Sequence, residues 1–153
     1  MAEAGLEVHV ARASEVNPAT LYRILQLRVD VFVVEQRCAY RELDGRDLEP
    51  DTRLLWMADY AGAVLATLRI VRDAGVARIG RVATATSARS GGLAARLMGR
   101  ALELTDRSGD DVVLDAQSRL RAWYERFGFE VSGEPFVEDG IPHIPMSRRY
   151  RPV

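Results

Sequence analysis

The chain has 153 residues, 48% of them hydrophobic and 28% charged, which is the size of one domain and the composition of a globular rather than a disordered protein. Its formal net charge of -1 supplies no global field to draw in nucleic acid or an anionic membrane, so neither is expected as a partner. No apolar run approaches the ~20 residues of a membrane span.

The first ten residues lack a basic segment followed by an apolar one, so no secretory signal is read and the cytoplasm is the expected compartment. Leu6 to Ala13 alternates Leu6, Val8 and Val10 with Glu7, His9 and Ala11, the period of a half-buried strand. Asn17-Pro18 then reads as an N-cap followed by proline at the first helical position. The helix places Leu21, Ile24, Leu25, Val31 and Phe32 on one stripe, and Arg28 falls on it too. Glu35, seven residues and about 10.5 Å further along, would share that stripe if the helix continues. Asp30 faces away from it.

Between Gln36 and Arg53 the apolar period vanishes, and Glu42, Asp44, Asp47, Glu49 and Asp51 mix with Arg41, Arg46 and Arg53. This predicts a loop with a turn at Asp44-Gly45; a salt-bridged surface loop and a loop that lines a site are both open readings. It contains Cys38, the only cysteine, which leaves no intrachain disulfide and no cysteine-rich metal cluster. Every one of the 21 basic residues is Arg.

Leu54 to Tyr60 and Ala63 to Val71 are strand-like runs joined at Ala61-Gly62, and Val76 to Thr84 adds a third strand after Asp73-Ala74-Gly75. The pattern then changes: Ser87-Ala88-Arg89-Ser90-Gly91-Gly92 leads into a helix carrying Leu93, Leu97, Met98, Ala101 and Leu104 and ending near Ser108-Gly109. Val112 to Ala116 is a short apolar strand, and a crossover of this length implies parallel pairing. Leu120, Trp123, Tyr124 and Phe127 mark a short helix stopped by Gly128. Phe129 to Ser132 and Ile144 to Arg148 complete the strands around a turn at Glu138-Asp139-Gly140. The order β-α-β-β-β-α-β-α-β-β predicts an α+β fold with a mixed, mostly antiparallel sheet.

Small residues and unpaired N–H groups at a helix start form a site for an anion without any basic side chain, and Arg89-Ser90-Gly91-Gly92-Leu93-Ala94 has that composition. A phosphate or pyrophosphate is the natural guest. The Lys-containing P-loop and the GxGxxG dinucleotide fingerprint are both absent.

This stretch, with Tyr124-Glu125-Arg126-Phe127-Gly128-Phe129, resembles the GNAT superfamily of N-acetyltransferases. Arg89, Gly92 and Ala94 fit the fixed positions of its pyrophosphate loop. A narrower resemblance to the ElaA-like branch rests on Leu27 to Gln36, Asp44-Gly45, Ile79-Gly80-Arg81-Val82 and Glu138 to His143, with departures at Leu54 and Phe136. It covers about residues 6–150 and implies a single domain over 1–153, with about four helices around the sheet.

The resemblance implies acetyl-CoA as co-substrate, an amine-bearing acceptor, no metal, and a monomer or homodimer. Arg89, Ser90, Gly91, Gly92, Leu93 and Ala94 would hold the pyrophosphate. Val82, Ala83 and Thr84 would hold the pantetheine arm and the thioester oxygen, with Gln117 also on the CoA side. An amine of pKa ~10.4 is almost wholly protonated near pH 7, so a proton acceptor is needed, and Glu35 is the first candidate. Tyr124 is the candidate acid for the leaving thiolate, although its place beside Leu120, Trp123 and Phe127 also fits core packing. Arg28 and His143 are the candidate acceptor contacts. The rival function is an acyl-CoA-binding sensor or interaction domain with little catalysis.

Overall fold

The computed structural model describes residues 6–152. The chain folds in the order β1 (His9–Ala11), α1 (Pro18–Val29), β2 (Arg53–Ala58), β3 (Val64–Asp73), β4 (Val76–Thr84), α2 (Leu93–Ser108), β5 (Asp111–Gln117), α3 (Arg121–Glu125), β6 (Glu130–Val131), β7 (Phe136–Glu138) and β8 (Ile141–Arg148). All eight strands belong to one sheet of order β1-β2-β3-β4-β5-β8-β6, with β7 paired to β8. Among the described residues only the β4–β5 pair is parallel. The predicted α+β class and mixed sheet are therefore found, with three α-helices rather than about four. No described helix is long and apolar enough to cross a membrane.

Local signals explain most boundaries. Asn17 caps α1 by accepting from the Ala19 N–H at 2.9 Å, and Gly109 ends α2 in the left-handed conformation at φ 73°. The first strand is shorter than its alternation suggests, and β7, which no apolar run marks, forms because the Asp139-Gly140 turn folds it onto β8.

Two apolar clusters flank the sheet. Leu97, Met98 and Ala101 of α2 pack on Leu68, Ile70, Ile79 and Leu114. On the opposite face Ile24, Leu27, Val31 and Phe32 pack against Val64 and Ala83. Alternation along β3 and β4 sends Leu68, Ile70, Ala77 and Ile79 toward α2, leaving Arg69, Val71, Arg78 and Gly80 for the other face.

Beyond Val29 the helix does not continue as α. Asp30–Glu35 is a π-helical segment, and the Gln36 N–H reaches back five residues to the Val31 carbonyl at 3.0 Å. The wider turn breaks the seven-residue coincidence between Arg28 and Glu35. Arg28 is buried, 1% exposed, whereas the Glu35 side chain is 44% exposed.

Candidate active site

The pairing between β4 and β5 covers only Val76 to Arg78 against Asp111 to Val113. Past Arg78 the two strands part. On its other side β4 stays paired with β3, but between Gly80 and Ala83 it carries one residue more than its partner. Arg81, at φ 54°, absorbs that extra residue, a left-handed conformation that costs a non-glycine residue about 1–2 kcal/mol. The backbone of Val82 to Thr84 thus borders the gap, paired with β3 on one side and with no strand on the β5 side.

The gap opens into a cleft of about 630 Å³. Val82, Ala83 and Thr84 form one edge, Leu114, Asp115 and Gln117 the other, and Arg89, Ala94 and Tyr124 lie toward the α2 side. Glu35, Tyr40 and His143 reach in from the opposite side. Of the remaining predicted residues, Ser90, Gly91 and Gly92 are exposed at the start of α2. Leu93 is 5% exposed, its side chain committed to the core. Gly92, at φ 75°, precedes α2 with no side-chain cap, so the first N–H groups of a sixteen-residue helix face outward beside Arg89. That is the donor set an anion needs.

Tyr124 is 7% exposed. Trp123 and Phe129 meet its ring edge-on, with centroids 5.0 and 6.1 Å away. Among the described residues no hydrogen bond engages its hydroxyl, and burial pushes its pKa up to about 12. Packing and a cleft-facing phenol thus coexist in one side chain.

Glu35 is paired with Arg89, the arginine expected to hold the pyrophosphate, through two hydrogen bonds of 2.7 and 2.9 Å. The bidentate bond and charge of Arg89 hold the Glu35 carboxyl below its ordinary range and raise the guanidinium. The next residue, Gln36, accepts from Gln117 Nε2 at 3.0 Å. The π segment therefore occupies two of the predicted cofactor-side groups at once.

Arg28 does not line the cleft, which corrects its reading as an acceptor contact. Its Nε donates to Glu42 Oε2 at 2.8 Å and its Nη1 to Asp47 Oδ1 at 2.6 Å. Arg81 donates to the same Glu42 oxygen at 2.9 Å and lies over the Tyr40 ring at 5.1 Å. Arg69 grips Asp44 at 2.7 and 2.9 Å, holding its carboxyl well below the usual range. Glu42 Oε1 is buried without a hydrogen-bond partner among the described residues. An arginine on an apolar stripe is thus the fastening point of the acidic loop, and that loop walls the cleft.

His143 is at the rim, opposite Gln117 across β5 and β8. Its ring stacks on Phe136 at 5.5 Å, and its Nδ1 contacts the Ile141 carbonyl at 2.7 Å. Tyr40 and Asp115 are not marked by any sequence signal, and Arg81 is marked only as part of the Ile79-Gly80-Arg81-Val82 resemblance, without a role. Only the unusual position of Arg28 hinted that the loop was anchored.

A sequence model described as the acetyltransferase (GNAT) domain matches residues 23–150. The chain belongs to the GNAT acetyltransferase family. It is 41% identical to Escherichia coli ElaA over 139 residues, covering 88% of this chain and 91% of that protein, and 46% identical to a Mycobacterium tuberculosis relative over 141 residues, 89% and 88% of the two chains. Among solved structures it is similar to an acyl-CoA N-acyltransferase from Pseudomonas aeruginosa, with TM-score 0.89, 42% identity, and 94% and 99% of the two chains covered. The crystal structure of E. coli ElaA gives 0.88 at 36% identity, with the same coverage.

Proposed function

We propose that the protein is an acetyl-CoA-dependent N-acetyltransferase, moving an acetyl group to a primary amine by direct attack in a ternary complex. The observation that carries this reading is the bulged edge of β4, opened toward a cleft that runs from the uncapped start of α2 to a buried tyrosine. Each part has a chemical use. The N–H groups before α2 and the Arg89 guanidinium receive the pyrophosphate of CoA. The pantetheine arm lies along Val82 to Thr84 as an added strand, and a backbone N–H there donates to the thioester oxygen as it becomes an oxyanion.

The neutral amine attacks the thioester carbon; as the tetrahedral intermediate collapses, the C–S bond breaks and the sulfur keeps the electron pair. Tyr124 supplies the proton to that sulfur. Its raised pKa keeps the hydroxyl protonated at neutral pH, and a thiolate forming in the same desolvated cleft is the base that draws the proton away. The proton lost by the attacking amine leaves through Glu35 or water beside it. As folded, Glu35 is a weak base because Arg89 holds it ionised. A pyrophosphate competes for Arg89 and frees the carboxylate, which couples cofactor binding to readiness for the acceptor.

The test combines melting curves with a thiol-release assay. Acetyl-CoA at about 100 times its Kd stabilises the protein by about 2.7 kcal/mol, while NAD and ADP-ribose do less. Thiol release then depends on both acetyl-CoA and an amine. A melting curve unmoved by acetyl-CoA but shifted by NAD overturns the cofactor assignment. Binding of acetyl-CoA without turnover on a broad amine panel favours the sensor reading.

A further inference from the structure

The cleft is lined by six guanidinium groups, those of Arg46, Arg69, Arg78, Arg81, Arg89 and Arg119, against three carboxylates, Glu35, Asp115 and Glu138. Arg89, and Arg119 through its hydrogen bonds of 3.0 and 3.2 Å to Gln117 Oε1, go with the proposed cofactor groups. The other four lie on the face away from α2, the part of the cleft that the acetyltransferase reading leaves to the acceptor. The carboxylates that neutralise three of them, Glu42, Asp44, Asp47 and Glu49, are absent from the lining. Each of those pairs turns its cationic end inward. A cleft walled in this way attracts anions and repels polycations.

Arg78 differs from its neighbours. Arg46, Arg69 and Arg81 each make an ion-pair contact of 3.0 Å or less. Arg78 has only Asp115 at 3.5 Å and Asp73 at 3.6 Å, and its side chain is 41% exposed, the most accessible of the four. It stands two residues before Gly80, about 7 Å along β4 and on the same face. A Cβ added at Gly80 would meet nothing within 4 Å, so the floor between Arg78 and the bulge has room for a ligand. Asp115 faces Arg78 across the gap and offers a carboxylate to an ammonium group.

Resting on the acetyltransferase reading, we infer that the acceptor is an amine bearing an acid group a few bonds from its nitrogen, an amino acid or a similar carboxylate or phosphate, with Arg78 as the residue that binds the acid. Polyamines and polycationic amines are then poor acceptors. In the productive complex the acid group displaces Asp115 and Asp73 from Arg78, and the nitrogen is directed past Gly80 toward the thioester beside Val82 to Thr84.

The test uses acceptor pairs that share an amine but differ in the acid: γ-aminobutyrate with propylamine, phenylalanine with phenethylamine, and phosphoethanolamine with ethanolamine. Spermidine serves as the polycation, and comparing the first two pairs with the third separates carboxylate from phosphate recognition. The acid-bearing member of at least one pair has a kcat/KM about tenfold or more above its partner, mostly through KM, and added salt reduces the ratio. Arg78→Gln lowers that ratio toward one, and Arg78→Lys restores part of it. The partners of Arg78 are exposed carboxylates that water solvates, so both variants fold, which melting curves and the acetyl-CoA shift check. Preference for spermidine or the bare amines overturns the inference while leaving the acetyltransferase reading standing, as does a ratio unchanged in Arg78→Gln. Loss of any acetyl-CoA response together with no turnover overturns both.

Discussion

The two walls of the cleft are made of different material. On the α2 side the groups proposed to meet a ligand are the main-chain N–H groups at the uncapped start of α2 and along Val82 to Thr84, supported by apolar packing of Leu97, Met98 and Ala101 on the sheet. On the other side the wall is an ion-pair lattice in which Arg28, Arg69 and Arg81 hold Glu42, Asp44 and Asp47. Backbone donors depend on conformation alone, so a short local motif is enough to build them. A lattice of side-chain charges depends on partners far apart in sequence, such as Arg69 and Asp44, and it can be retuned one residue at a time. Under the proposed function, the backbone-built wall takes the cofactor and the retunable ion-pair wall takes the acceptor.

The sharpest break between the walls comes from Arg28→Met. It leaves the buried Glu42 and Asp47 carboxylates without their shared cation, a loss of about 3–5 kcal/mol and a fall in melting temperature of about 10 °C. The shift produced by acetyl-CoA survives, because the start of α2 is untouched, while the KM for the acceptor rises. Equal damage to both responses would show that the walls are not independent.

Tyr124→Phe acts on chemistry alone. The ring contacts with Trp123 and Phe129 remain and stability changes by no more than ~1 kcal/mol. Loss of the proton donor lowers kcat about 10²-fold, with acetyl-CoA affinity retained. Full kcat in a folded variant would make Tyr124 a packing residue and leave protonation to water.

Glu35→Gln tests the tie between the walls. Removing the carboxylate that competes for Arg89 tightens acetyl-CoA binding about threefold, the scale of an exposed ion pair. The same variant loses about tenfold in kcat if the carboxylate accepts the amine proton. Unchanged affinity would show that the Glu35–Arg89 pair offers no resistance to the cofactor.

The smallest effect is the pH dependence of the ion-pair wall. Arg69 lowers the pKa of Asp44 on folding, so this carboxylate contributes stability that is present above its unfolded value of ~3.9 and is lost as pH falls toward the folded value. Asp44→Asn flattens the acid side of the curve of melting temperature against pH by about 2–4 °C. It lowers the neutral-to-alkaline side by a similar amount, because the ion pair is fully present there in the parent, and leaves its slope unchanged. An identical acid limb in variant and parent would remove Asp44 from the lattice.

The sequence by itself determined the parts whose cause is local. Alternating and helical periods fixed β2 to β5 and α2, Asn17-Pro18 fixed the start of α1, and Arg89 to Ala94 with Tyr124 to Phe129 marked the motifs on which the proposed cofactor half rests, because glycine conformation, capping and apolar spacing act within a few residues. Only the tertiary structure decided the rest. The π turn at Asp30–Glu35 broke the periodicity that had put Glu35 beside Arg28. The left-handed Arg81 opened β4 against β5. Arg28, expected at the acceptor, went into the interior to meet Glu42 and Asp47, fourteen and nineteen residues away. Those outcomes hang on which charges can pair once the sheet has brought them together, a competition among many arginines and carboxylates that spacing along the chain does not resolve.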